Sequence, residues 1–236
     1  MQIIFEDNHI IAVNKSCGEI VQGDKTGDLT LIDAVKDYLK KKYSKSGNVY
    51  IGLPHRLDRP TSGVVLLAKT EKALIRLNKM FQAHNAVEKT YWAVIDNRPP
   101  KFEDTLEHYL VKNQEKNISM AFRNQRSDGK YASLTYRHIA SSDRYHLLEI
   151  ELHTGRHHQV RVQLRQINLH IKGDVKYGFP RANDDKGIHL HARKVEFEHP
   201  VKKEHVTIIA NPPNEVLWNE FMNLLQNNRF NPVYQV

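Results

Sequence analysis

The apolar and polar positions change rhythm several times along the chain. Two short apolar runs flank the polar EDNH in MQIIFEDNHIIAVNK, the pattern of a β-hairpin. In LTLIDAVKDYLKKKY, Leu31, Val35 and Tyr38 or Leu39 recur at helical spacing, with Asp33 near the helix start and lysines at its end, as the helix dipole favours. GVVLLAK is an unbroken apolar run, as expected of a central buried strand. TEKALIRLNKMFQAH then reads as a helix capped by Thr70, with Leu74, Leu77 and Phe81 on one face. AVEKTYWAVID returns to period two, placing Val87, Lys89, Tyr91, Ala93 and Ile95 on one face and Glu88, Thr90, Trp92 and Val94 on the other.

Residues 97 to about 129 are polar and poorly periodic, which predicts turns and short irregular strands before KYASLTYRHIA resumes a strand. RYHLLEIELHTG alternates, with Leu148, Ile150 and Leu152 inward and Glu149 and Glu151 outward. RHHQVRVQLRQIN switches to helical spacing, giving an apolar stripe of Val160, Leu164 and Ile167 and a basic row of His157, Arg161 and Arg165. IHLHARKVEFEHP and HVTIIANPP read as late strands, the second stopped by two prolines, and NEVLWNEFMNLLQNN as a C-terminal helix. Strands without regular βα alternation predict an α+β fold around a mixed or mostly antiparallel sheet. No linker-like stretch divides the chain, so 1–236 reads as a single domain.

Composition narrows the class. With 40% hydrophobic and 26% charged residues, the 236-residue chain can fill a core and is not expected to be disordered. A single cysteine, Cys17, excludes an internal disulfide framework, and the start lacks the basic and apolar regions of a signal peptide, so the cytoplasm is expected. No apolar stretch approaches a bilayer span. A formal charge of +8 favours a polyanionic partner, which inside a cell is usually nucleic acid.

The chemistry is first narrowed by absences: the chain has no GxxxxGK, GxGxxG, GxSxG or HExxH signature. Histidines cluster in LHTGRHH and IHLHA. His157 and His158, as neighbours on a helix, are expected to point apart, while His189 and His191 share a strand face without acidic or cysteine partners, so no metal site is expected. The sharpest feature is HRLDRPTSGVVLLAKT, where Asp58 stands between Arg56 and Arg59 and leads through a turn into the buried strand. A carboxylate carried into a cleft stays ionised only beside a cation, and Arg161 and Arg165 are both candidates. A buried Asp–Arg pair that merely ties loop to helix fits the spacing as well as catalysis does.

HRLDRPTSG resembles the aspartate motif HRLDxxTSG of the RluA family of pseudouridine synthases at each fixed position. TGRHHQVRVQLRQINLHIKGDVKYG resembles the family's TGRxHQIRxHL and GDxxYG blocks, and EKTYWAVI its KxYxAxV strand; EDNHIIAVNKSCGEIVQ and GIHLHARKVEFEHP extend the likeness over most of the chain in family order. Ser16, Val160 and Gln163 depart from frequent family residues at positions without a catalytic role.

The resemblance implies a base-flipping RNA isomerase with the pseudouridine synthase fold that needs no cofactor. Asp58 would match the catalytic aspartate, Tyr91 the active-site tyrosine and Arg161 the arginine paired with the aspartate. Arg56 would brace the gap left by the flipped nucleotide and Leu190 would line the base pocket. Asp58 has three routes open to it: attack at C1′, attack at C6 of uracil, or removal of a sugar proton. Arg59, Lys89, Arg156 and His157 are candidates for phosphate contacts that offset the extrusion of the base. The first family block begins almost at Met1, so no N-terminal S4 domain is expected. The expected partner is therefore a compact RNA, a tRNA arm or rRNA stem-loop, bound by a monomer. Two other readings compete: an RNA-binding or folding protein with a vestigial isomerase site, and a hydrolase of a glycosidic bond. The second normally needs two carboxylates, and no second acid sits in these motifs.

Overall fold

The computed structural model describes residues 1–23, 27–83 and 86–227. His84, in the second predicted helix, and Asn228, at the end of the last, lie outside the described residues. Backbone contacts divide the chain into two compact units, one of Met1–Glu88 with Ala192–Asn211 and one of Lys89–His191 with the segment from Pro212 onward.

The first unit begins with the predicted hairpin, β1 (Gln2–Glu6) antiparallel to β2 (Ile10–Lys15). α1 (Leu31–Lys42) opens with a capping box: Thr30 Oγ1 accepts from Asp33 N, and the Asp33 carboxylate accepts from Thr30 N. Such a cap contributes about 1 kcal/mol. β3 (Ser62–Ala68) is buried at all seven positions and pairs with β2 from Ile10↔Ala68 to Lys15↔Gly63. α2 (Glu71–Gln82) starts at Thr70, whose Oγ1 accepts from Ala73 N, and buries Ala73 and Leu77 against Ile10, Val64, Leu66 and Phe197. Leu74 and Phe81, placed on the same face by the sequence, pack against this core while partly exposed.

Glu6 ties this unit together. Its carboxylate accepts from Tyr38 Oη at 3.0 Å, Lys42 Nζ at 2.8 Å, Tyr43 Oη at 2.7 Å and Lys69 Nζ at 2.8 Å. Burial alone would raise its pKa, but these four donors outweigh it and hold the group at about 2 instead of 4.5. A carboxyl with a lowered folded pKa contributes stability that is complete above its unfolded value and lost as pH falls through the folded one. Replacing Glu6 by Gln will therefore lower the melting temperature at pH 7 by roughly 5 °C. Melts of both proteins at descending pH will show the gap closing between pH 4.5 and about 2; a gap that persists at the acid end contradicts the assignment.

The second unit is an antiparallel sheet in the order β4 (Val87–Ile95), β8 (His146–Leu152), β7 (Lys130–Ser141), β5 (Glu103–Asn113), β6 (Ile118–Phe122). β4 alternates as its sequence predicts. Ala93 and Ile95, with Tyr91 beside them, face a core built with Val160 and Leu164 of α3 (Gln159–Gln166), while Trp92 and Val94 face Leu217, Trp218 and Phe221 of α4 (Val216–Gln226). β9 (Leu190–Glu198) starts in this unit and continues in the first, where β10 (His205–Ile209) pairs with it antiparallel. The pairs β1–β2, β2–β3, β9–β10, β4–β8, β8–β7, β7–β5 and β5–β6 are all antiparallel, in keeping with the α+β expectation. Among the described residues no helix is long and apolar enough to cross a membrane.

Two expectations need correction. The stretch read as irregular contains a well-paired hairpin, eleven residues of β5 joined to β6 from Tyr109↔Phe122 to Asn113↔Ile118. Its inward positions are Leu106, His108 and Leu110, and the buried histidine masks the period. The basic row on α3 also dissolves. His158 is the residue before the helix, with left-handed φ of 54°, and His157 precedes it, so only Arg161 and Arg165 are helical. The two histidine rings, expected to diverge, stack with centroids 3.7 Å apart.

Candidate active site

In the first unit, Asp58 sits half-buried in a turn whose closing bond runs from Thr61 N to the Asp58 carbonyl at 3.0 Å. The loop is held from both ends. On one side the His55 ring stacks on Phe81 at 4.6 Å, and its Nε2 accepts from Leu66 N. On the other, Lys15 reaches in from the end of β2 with 1% exposure, and its ammonium donates to the carbonyls of Ser16 and Glu19, both at 2.9 Å, and of Arg59 at 3.1 Å. Burial lowers the Lys15 pKa to about 8, against the support of Cys17, Glu19 and the Asp58 charge. Lys15 thus places a cation in the electrostatic reach of Asp58. Its apolar position in the sequence gave no such signal.

The neighbouring arginines differ. Arg56 is exposed. Arg59 clasps the N-terminal loop: Nε donates to Gly18 O at 3.1 Å, Nη2 meets Asp28 at 3.2 Å, and its own carbonyl accepts from Gly18 N. The exposed Arg59–Asp28 pair contributes little to stability, so its guanidinium can exchange partners at small cost.

In the second unit, α3 is pinned by two glutamines. Gln159 accepts from Thr154 Oγ1 and Arg156 N and donates to Ser133 O; Gln163 donates to Leu106 O. They hold Arg161, 5% exposed, in a buried bidentate pair with Asp174, Nε to Oδ2 and Nη2 to Oδ1, each 2.7 Å. Two charges out of water need this geometry, because the desolvation of either one alone costs several kcal/mol. Leu190 lies with Val160, Leu164, Ile171 and Ile188 in one cluster, and Tyr91 packs against it. The structure thus brings Tyr91, Leu190 and the helix of Arg161 to one core.

Lys89 and Arg156 repel each other across this unit, and burial, then Arg156, pushes the Lys89 pKa down. Arg156 is exposed and donates to Tyr131 O. His157 is engaged by Ser119 Oγ at 2.9 Å and Asn117 Oδ1 at 3.1 Å. His189 stacks on Trp218 and bonds Asn183 and, contrary to the expectation of no acidic partner, Glu215 brought in at the start of α4, while His191 meets the same tryptophan edge-on. Among the described residues, no group of three or more His, Cys, Asp or Glu forms a metal-binding cluster. Pattern reading missed the buried polar groups of Lys15, Asp174 and Tyr177; the last two stand inside GDVKYG, where only the motif marked them.

Comparison with known proteins places this arrangement. Residues 9–166, well over half of the chain and including the whole Asp58 loop and Arg161, match the family model described as RNA pseudouridylate synthase. The chain is 31% identical over 226 residues to ribosomal large subunit pseudouridine synthase D of Zymomonas mobilis, covering 92% of this chain and 70% of that protein. It is 30% identical over 231 residues to tRNA pseudouridine synthase C of Pectobacterium carotovorum, covering 89% of this chain but only 58% of that relative's length. The solved structure of human RNA pseudouridylate synthase domain containing 4, at 22% identity, shares the fold with a TM-score of 0.77 over 95% of this chain and 93% of that one. By its sequence motifs, its family match and its fold, the chain belongs to the RNA pseudouridylate synthase family.

Proposed function

We propose that this chain is an isomerase converting uridine to pseudouridine in structured RNA, with Asp58 as the acting carboxylate and Tyr91 and Arg161 as its catalytic partners. The observation that carries the reading is the Asp58 loop. A half-buried aspartate is presented on a turn fixed by Thr61 N and by the buried Lys15 ammonium, inside the stretch that matches the family. In the reaction N1–C1′ breaks, the uracil turns within the site, C5 bonds to C1′, and the C5 hydrogen leaves as a proton while N1 takes one up. Atoms balance, so neither cofactor nor metal is called for.

Tyr91 offers the base a flat ring and a hydroxyl, and Leu190 lines the base pocket. Arg161 supplies fixed positive charge. Arg56, exposed on the loop before Asp58, braces the duplex while the uridine is extruded, a step costing roughly a few kcal/mol. Arg59, Lys89, Arg156 and His157 hold phosphates, Arg59 by exchanging the exposed Asp28 for a phosphate oxygen. The same reading has a monomer acting in the cytoplasm as one catalytic domain, on a tRNA arm or an rRNA stem-loop.

The test is tritium release from tRNA and rRNA transcripts labelled at C5 of uridine, with the product digested and weighed. Release with a mass-neutral nucleoside is the expected result. Free uracil would replace the isomerase by a glycosidic hydrolase, and intact RNA binding without release from either transcript would replace it by a binding protein.

A further inference from the structure

The guanidinium of Arg161 is fixed in two independent directions. Asp174 grips its Nε–Nη2 edge and so sets its position within its own plane. Arg161 Cζ also lies over the ring of Tyr177, 4.9 Å from its centroid, and this ring, 2% exposed, covers one face of the cation. The ring is itself immobilised through its hydroxyl, which accepts from Ser119 N at 2.7 Å and meets His158 Nδ1 at 2.8 Å. The phenolic oxygen, accepting from Ser119 N, shares one hydrogen with His158 Nδ1, and His158 is neutral. Burial and the nearby Arg161 keep it so, holding its pKa down to about 2. A protonated His158 would repel Arg161.

The geometry points to Tyr177 as a positioning residue of the reaction: clamped between the β6 backbone and His158, it orients the Arg161 guanidinium for work on the reacting uridine. This rests on the catalytic role proposed for Arg161. A purely structural tyrosine would fill the same space, but its loss would slow the reaction regardless of what occupies position 161. A positioning tyrosine matters only while a planar guanidinium is there to be oriented, because a lysine ammonium has no plane.

The experiment measures single-turnover tritium release, with enzyme in excess over the C5-labelled transcript that the wild type turns over, for Tyr177→Phe, Tyr177→Leu, Arg161→Lys and the two double variants. RNA affinity and melting curves are taken alongside. Tyr177→Leu is expected to slow release on the order of 10²-fold through misplacement of the guanidinium. Tyr177→Phe, which keeps the ring but loses its two hydroxyl bonds, is expected to slow it roughly 10-fold. RNA affinity is expected to stay unchanged in both, and neither substitution is expected to add slowing in the Arg161→Lys background. If Tyr177→Leu fails to fold, Tyr177→Phe carries the same cycle. Wild-type rates for the Tyr177 variants while Arg161→Lys is slow would overturn the inference alone, as would slowing that adds fully in the lysine background. Wild-type release by Arg161→Lys would instead remove the role of Arg161 on which the inference stands.

Discussion

Replacing Asp58 by Asn will reduce tritium release by roughly 10³-fold or more, the loss expected when the acting carboxylate of a reaction is removed, and leave RNA binding and the melting temperature close to wild type. The separation follows from how the loop is built. Its turn is closed by the Asp58 main-chain carbonyl and Thr61 N, and Lys15 grips the carbonyl of Arg59, so an amide of the same shape leaves these bonds intact. RNA affinity comes chiefly from phosphates and the exposed basic residues, which the substitution does not touch. The charge it removes is felt by Lys15, whose protonated form Asp58 helps to support. The Lys15 pKa will fall further below about 8 in the variant, a shift measurable by NMR titration of labelled lysine. Release that survives the substitution would take Asp58 out of the chemistry and return it to a structural ion pair.

Much of the fold was legible because its elements keep one rhythm from end to end. The apolar run GVVLLA within β3, the Thr70 cap of α2 and the two faces of β4 each follow from local spacing. β5 broke this rule at one position. His108 faces inward, beside Gln163 Nε2 at 3.1 Å, and burial, then Arg123, holds it neutral by lowering its pKa. An imidazole read as polar therefore turned an alternating strand into an irregular one. The stacked His157 and His158 escaped for another reason: a left-handed residue resets the helical register, and nothing in the spacing of RHHQ announces it.

Charge is harder to read than hydrophobicity, because burial is a tertiary property. Lys15, Arg161 and Asp174 lie at 1%, 5% and 2% exposure, yet each belongs to a residue type that usually stays in water. Arg161 was legible as a candidate cation; its buried carboxylate, thirteen residues away along the chain, was not. Motif resemblance supplied what periodicity could not, since GDVKYG contains both the carboxylate and the ring that hold the guanidinium.

The glycine of the same loop carries the largest expected effect on folding. Gly63, the second residue of β3, has a φ of +114°, a conformation that side chains rarely adopt, and a Cβ there would lie 2.3 Å from the carbonyl oxygen and 2.5 Å from the nitrogen of Ala192 in β9. Those are backbone atoms of a paired strand, so they cannot swing aside as a flexible side chain would. Gly63→Ala therefore combines backbone strain of about 1–3 kcal/mol with overpacking of about 1–3 kcal/mol. The expected fall in melting temperature is about 10 °C for a chain of this size, read by denaturant and thermal melts. Ser62 next to it is also buried, but its φ is not positive, so Ser62→Ala should cost far less. Equal losses from the two substitutions would show that burial alone sets the cost at this turn. A loss confined to Gly63 would explain the TSG that follows Asp58: the glycine lets the strand pass close against β9 directly after the Asp58 turn, so the aspartate is presented from a backbone that has no room to move.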